Sequence, residues 1–148
     1  MGRTLEKFFP FLVGAIALAL YVASRGRIPF SPPEALRDLF AAIINVSAIA
    51  VGFLATAKSI LVSLEDKPIV RMLKDAGYYS DLVRYLMTAT QLCFGLAIAS
   101  ALLVLLDFKT AAFWNHFAFG VWVFLTATAA TACARVIRVF GRVLEHRN

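Results

Sequence analysis

The chain has 148 residues, of which 61% are hydrophobic and 16% charged, with a formal net charge of +6. Soluble domains hold about 45–50% apolar residues, so this composition excludes an ordinary water-soluble fold and leaves no room for a separate soluble domain. The basic residues fall at the ends of apolar stretches instead of forming one stripe, which argues against a direct nucleic-acid surface.

Apolar stretches cover residues 8–24, 39–61, 85–106 and 111–134. A helix rises about 1.5 Å per residue, so roughly twenty apolar residues cross a hydrocarbon core of about 30 Å. The expectation is an all-α integral membrane four-helix bundle forming a single transmembrane domain. If the N-terminus, the loop 62–84 and the tail 135–148 share one side, that side, with Lys58 just before the loop, carries eleven of the fifteen Lys and Arg residues; Arg25, Arg27, Arg37 and Lys109 lie on the other. The positive-inside rule then predicts an N-in/C-in protein of the bacterial inner membrane.

The first stretch has the form of a signal peptide: Arg3 and Lys7, an apolar run over Phe8–Val22, then Val22-Ala23-Ser24. We take it as a retained first transmembrane helix, with Pro10 in its opening turn, where a missing N–H costs little. Ser31-Pro32-Pro33-Glu34 is a capping box, so a long second helix starts near Pro32 and runs to about Leu64, tilting in the membrane or projecting from it. Asp66-Lys67-Pro68 opens a short amphipathic interfacial helix that Gly77 can end, with Ile69, Val70, Leu73 and Ala76 on one side. Tyr78-Tyr79 is an interfacial anchor, and Ser80 or Asp81 caps the third helix. The short turn Asp107-Phe108-Lys109-Thr110 makes the third and fourth helices an antiparallel hairpin. The fourth continues past Ala134 into the cytoplasm, with Arg135, Arg138 and Arg142 on one stripe.

Small residues recur at helical spacing: Ala48, Gly52 and Thr56 on the second helix, Gly95 and Ala99 on the third, Thr126 and Ala130 on the fourth. Such faces let backbones approach closely, which fits either packing within one subunit or a homo-oligomeric interface. Thr88, Gln91, Thr128 and Thr131 are polar within the membrane; they serve interhelical hydrogen bonding or line a polar path near the inner leaflet. Lys67, Arg71, Lys74, Arg135, Arg138 and Arg142 are positioned to attract the anionic inner leaflet or to dock a cytoplasmic protein.

No carboxylate lies mid-membrane, which argues against a proton-coupled transporter. Cys93 and Cys133 form no C-x-x-C and have no His beside them, so they are expected to be packing residues and not a dithiol or metal site. His116 is expected to be an interfacial residue beside Trp114. No catalytic constellation, cofactor site or metal site is expected.

Two four-helix families of similar size do not fit. The Arg-x-x-x-Asn-x-x-Glu motif of the membrane glutathione transferases is replaced here by Val51-Gly52-Phe53-Leu54-Ala55-Thr56, and the quinone-linked disulfide enzymes need paired cysteines. The layout of residues 52–91, with Ile60-Leu61-Val62-Ser63-Leu64, then Lys67-Pro68-Ile69-Val70-Arg71 and Gly77-Tyr78-Tyr79 leading into a third span, resembles small four-helix membrane subunits of bacterial anti-phage defence systems of the Kiwa type. That resemblance implies an inner-membrane sensor or effector working with a cytoplasmic partner, and carries over no catalytic residue. The expected function is an oligomeric inner-membrane protein that senses or perturbs the bilayer and docks such a partner; the alternative is an ion channel or pore on the oligomer axis.

Overall fold

Residues 3–24, 33–63, 78–105 and 113–145 are described in a computed structural model, and all of them are helical. The elements are α1 (Arg3–Ser24), α2 (Pro33–Ser63), α3 (Tyr78–Leu105) and α4 (Phe113–Glu145). The all-α class is observed, and three helices are long and apolar enough to cross a membrane, over Ala35–Ser63, Tyr79–Leu105 and Asn115–Val139. By length and composition they are compatible with a membrane protein. α1 holds a shorter apolar stretch, Phe8–Ser24, which extends about 25 Å at the helical rise.

Two local expectations are corrected. Pro10 lies inside α1, beyond the opening turn, because the helix already starts at Arg3; the Glu6 carbonyl therefore loses its usual N–H partner. α3 starts at Tyr78, which places Asp81 in its first turn, where a carboxylate complements the helix dipole, instead of at the cap. The capping box at Ser31, the interfacial helix over 68–77 and the turn 107–110 lie outside the described residues.

The principal packing runs α2 on α3, α3 on α4 and α4 on α1. The helices thus form a row in which α1 sits beside α4, the last in sequence, and not beside α2, its successor. Leu54 of α2, Leu86, Cys93 and Leu96 of α3, and Trp122, Ala129 and Val136 of α4 belong to the buried core. Outward surfaces stay apolar on all four helices, with Leu20, Ile49, Phe94 and Phe117 each more than half exposed. Water would penalise so continuous an apolar surface, and lipid accepts it.

The α1–α4 contact is set by glycine. A Cβ added at Gly14 would overlap Thr128 Oγ1 and touch the Phe124 ring, and one at Gly120 would press on Leu18 at 3.3 Å. Thr128 is fully buried, and its hydroxyl donates to the Phe124 carbonyl at 2.6 Å, so it cannot swing aside. A Cβ at Gly95, by contrast, would meet nothing within 4 Å. Gly14→Ala should therefore destabilise the detergent-solubilised protein by about 1–3 kcal/mol through overpacking, whereas Gly95→Ala should leave it unchanged or slightly firmer. Thermal unfolding of the two variants side by side checks this.

Candidate functional sites

Four places gather side chains with chemistry. At one end of the row, aromatic residues tie the helices together. Phe40 of α2 is fully buried and meets Trp122 of α4 edge-on, ring centroids 5.1 Å apart at 78°. Phe119 stacks at a tilt on Trp122 at 5.4 Å and on Tyr21 of α1 at 5.3 Å. The Trp122 Nε1–H donates to Ser100 Oγ of α3 at 2.8 Å, with both residues buried. The Tyr21 hydroxyl lies 3.5 Å from His116 Nδ1. His116 is thus in contact with α1.

The middle of the row holds the two cysteines. Cys93 Sγ of α3 and Cys133 Sγ of α4 are 3.3 Å apart, both as free thiols. The expectation of two unrelated packing residues is corrected here. The sulfurs face each other across the α3–α4 seam.

The opposite end holds a cavity of about 120 Å³ between α1, α3 and α4, lined by Pro10, Phe11, Arg84, Tyr85, Thr88, Ala132 and Arg135. The Arg135 Cζ lies over the Tyr85 ring, 3.6 Å from the centroid, a cation–π contact. Its Nη2 is buried and has no hydrogen-bond partner among the described residues. From His116 to Arg135 α4 rises about 28 Å, close to the thickness of a hydrocarbon core. The polar groups therefore bracket an apolar middle of the right depth.

The fourth place is the outer face of α2. Asn45, Ala48, Gly52, Thr56, Ser59 and Ser63 are all exposed and recur at intervals of three and four residues, which puts them on one stripe. A Cβ at Gly52 would meet nothing within 4 Å. The Thr56, Ser59 and Ser63 hydroxyls donate to the carbonyls of Gly52, Ala55 and Ser59, four residues back in each case.

The residues singled out from the sequence are distributed as follows. Ala48, Gly52 and Thr56 face away from the chain, as does Ala130, while Gly95, Ala99 and Thr126 are half-buried. The close approach is made instead by Gly14 and Gly120. Thr88, Gln91, Thr128 and Thr131 do not converge on one path. Gln91 is exposed, Thr128 is buried against α1, and the hydroxyls of Thr88 and Thr131 bond to their own helices. Arg135 lines the cavity and Arg138 is exposed. Lys67, Arg71 and Lys74 lie outside the described residues, as does the side chain of Arg142. No group of three or more His, Cys, Asp or Glu among the described residues could hold a metal ion.

No protein-family model, curated protein or solved structure matches the chain.

A slip of one turn between α3 and α4 would part the two sulfurs by about 5 Å. Treatment with diamide, which takes up the two thiol hydrogens as the S–S bond forms, should remove both free thiols within a single chain. Mass spectrometry without reductant should find Cys93 and Cys133 in one linked peptide pair. Two intact thiols after oxidation would mean that the seam has another register.

Proposed function

We propose that this chain is an oligomeric inner-membrane protein, N-in/C-in with α1 as a fourth span, that senses or perturbs the bilayer and docks a cytoplasmic partner. The reading rests chiefly on the outer stripe of α2. An Asn inside a membrane segment is costly to leave in lipid and finds a partner in another helix. Small residues on the same stripe let a second backbone come close, which drives association where lipid removes the hydrophobic incentive. α2 is also the span least satisfied by its own chain, with 17% of its apolar window buried against 28% for α3 and α4. A second copy of α2 fits that stripe.

The fourth span is supported by the α1–α4 pairing. The Tyr21–His116, Gly14–Thr128 and Gly120–Leu18 contacts run antiparallel and carry α1 along the same depth as α4. The docking role is supported by the exposed Ile137 and Arg138 near the Arg135 end of α4. The defence setting rests on the layout of residues 52–91 alone.

Gly52→Leu should convert the detergent-purified oligomer to monomer, measured by light scattering on a sizing column. Ile98→Leu, on the outward face of α3, should leave it intact. An unchanged mass for Gly52→Leu would remove α2 as the seam. A partner retained on the wild-type protein should be lost from the double variant Arg138→Glu with Arg142→Glu, measured by co-purification from the native membrane. Equal recovery from that variant would place the docking surface elsewhere.

A second reading, a pore on the oligomer axis, is favoured by Asn45 and Thr56 lying on the same stripe as Gly52. Ion flux from proteoliposomes that stops in Gly52→Leu while the mass holds would select the pore. Absence of flux under any applied potential would remove it.

A further inference from the structure

We propose that the cavity at the Arg84–Arg135 end binds the phosphodiester headgroup of an anionic phospholipid; this rests on the membrane reading above but not on self-association through α2. The first observation is Arg135 itself. The Tyr85 ring centroid lies 3.6 Å from its Cζ, a cation–π contact that supplies no lone-pair acceptor to its N–H groups. Its Nη2 is closed off from solvent with no acceptor among the described residues. A buried guanidinium N–H without an acceptor costs more than an ordinary lost hydrogen bond, and such a group inside a membrane segment marks a ligand or a missing partner.

The second observation is the rest of the lining. Arg84 reaches the same cavity from α3, so two cations meet there. The Thr88 hydroxyl proton is already given to the Arg84 carbonyl at 2.9 Å, which leaves the two guanidiniums as the charged donors of the lining and the Tyr85 hydroxyl as a neutral one. Planar N–H forks suit phosphate oxygens, which they hold in pairs.

The position selects a lipid over free phosphate. Arg84 and Arg135 both lie within apolar spans, Tyr79–Leu105 and Asn115–Val139, near their ends on the same side of the row. The rim is apolar, with Pro10 and the exposed Phe11 of α1. α1 and α3 flank α4, and acyl chains can lie against the apolar rim while the phosphate meets the arginines. Phosphatidylglycerol supplies this chemistry; phosphatidylcholine places a cation beside its phosphate.

The test is native mass spectrometry of the full chain released from vesicles of phosphatidylcholine with phosphatidylglycerol. The wild type should retain a phosphatidylglycerol molecule, and Arg135→Gln should bind it about tenfold more weakly, as expected for loss of a charge-assisted hydrogen bond. Arg84→Gln, whose side chain is exposed, should show the same direction and keeps the test open should Arg135→Gln misfold. Arg138→Gln, outside the cavity, should retain the lipid. Equal retention by all forms overturns the site, and so does equal loss from Arg138→Gln, which would reduce it to diffuse surface attraction. Displacement of the lipid by millimolar inorganic phosphate would assign the cavity to a free anion and overturn the lipid assignment. The oligomer mass of these variants should not change, so failure here and failure of the α2 seam are told apart.

Discussion

Lipid offers no hydrogen bonds, and this single constraint organises the chain. A polar group at membrane depth is costly unless it finds a partner. Thr56, Ser59, Ser63, Thr88, Thr90, Thr126, Thr128 and Thr131 all do so by donating to a carbonyl of their own helix, one turn back. Such residues are thereby made neutral, and they behave as small packing groups more than as a hydrophilic lining. Trp122 cannot do this, since its N–H stands too far from its own backbone, and it reaches Ser100 across the seam instead. That one directional bond, with Phe40 against the other side of the indole, fixes α2, α3 and α4 relative to one another.

Packing then follows from size. Where two helices must come close, the contact residue is glycine, at Gly14 and Gly120; where they stand apart, Phe and Leu fill the space. Gly52 and Gly95 belong to neither group, being open on the single chain. The distinction matters because a glycine without a neighbour gives up helix propensity, of the order of 1 kcal/mol relative to alanine, with no return inside its own fold. At Gly52 the proposed seam with another copy would supply that return.

Periodicity and capping made the four helices legible, because a run of apolar residues long enough to cross a bilayer has few other folds available to it. The unbroken course of α4 past Ala134 to Glu145 was legible in the stripe of Arg135, Arg138 and Arg142. Which helix sits beside which was not legible, since nothing in α1 states that its partner is α4. Gly14, the single glycine of α1, together with Gly120, Phe124 and Thr128 at four-residue spacing, was the available signal. The cysteine pair was hidden by depth. Cys93 lies twelve residues before the end of α3 and Cys133 twenty after the start of α4, so counting from the turn sets them about 12 Å apart. Arg135 read as one of a basic stripe because sequence shows charge, and only packing shows that Tyr85 captures it and takes it out of the stripe.

α4 has one more property that follows from its length. It is a single uninterrupted rod of 33 residues with no proline, about 50 Å from end to end. Trp122 is clamped at one level and Arg135 at another, on the same stiff axle. No proline or glycine lies between the indole and the guanidinium, so the aromatic clasp and the arginine pocket are joined by one stretch of continuous helix.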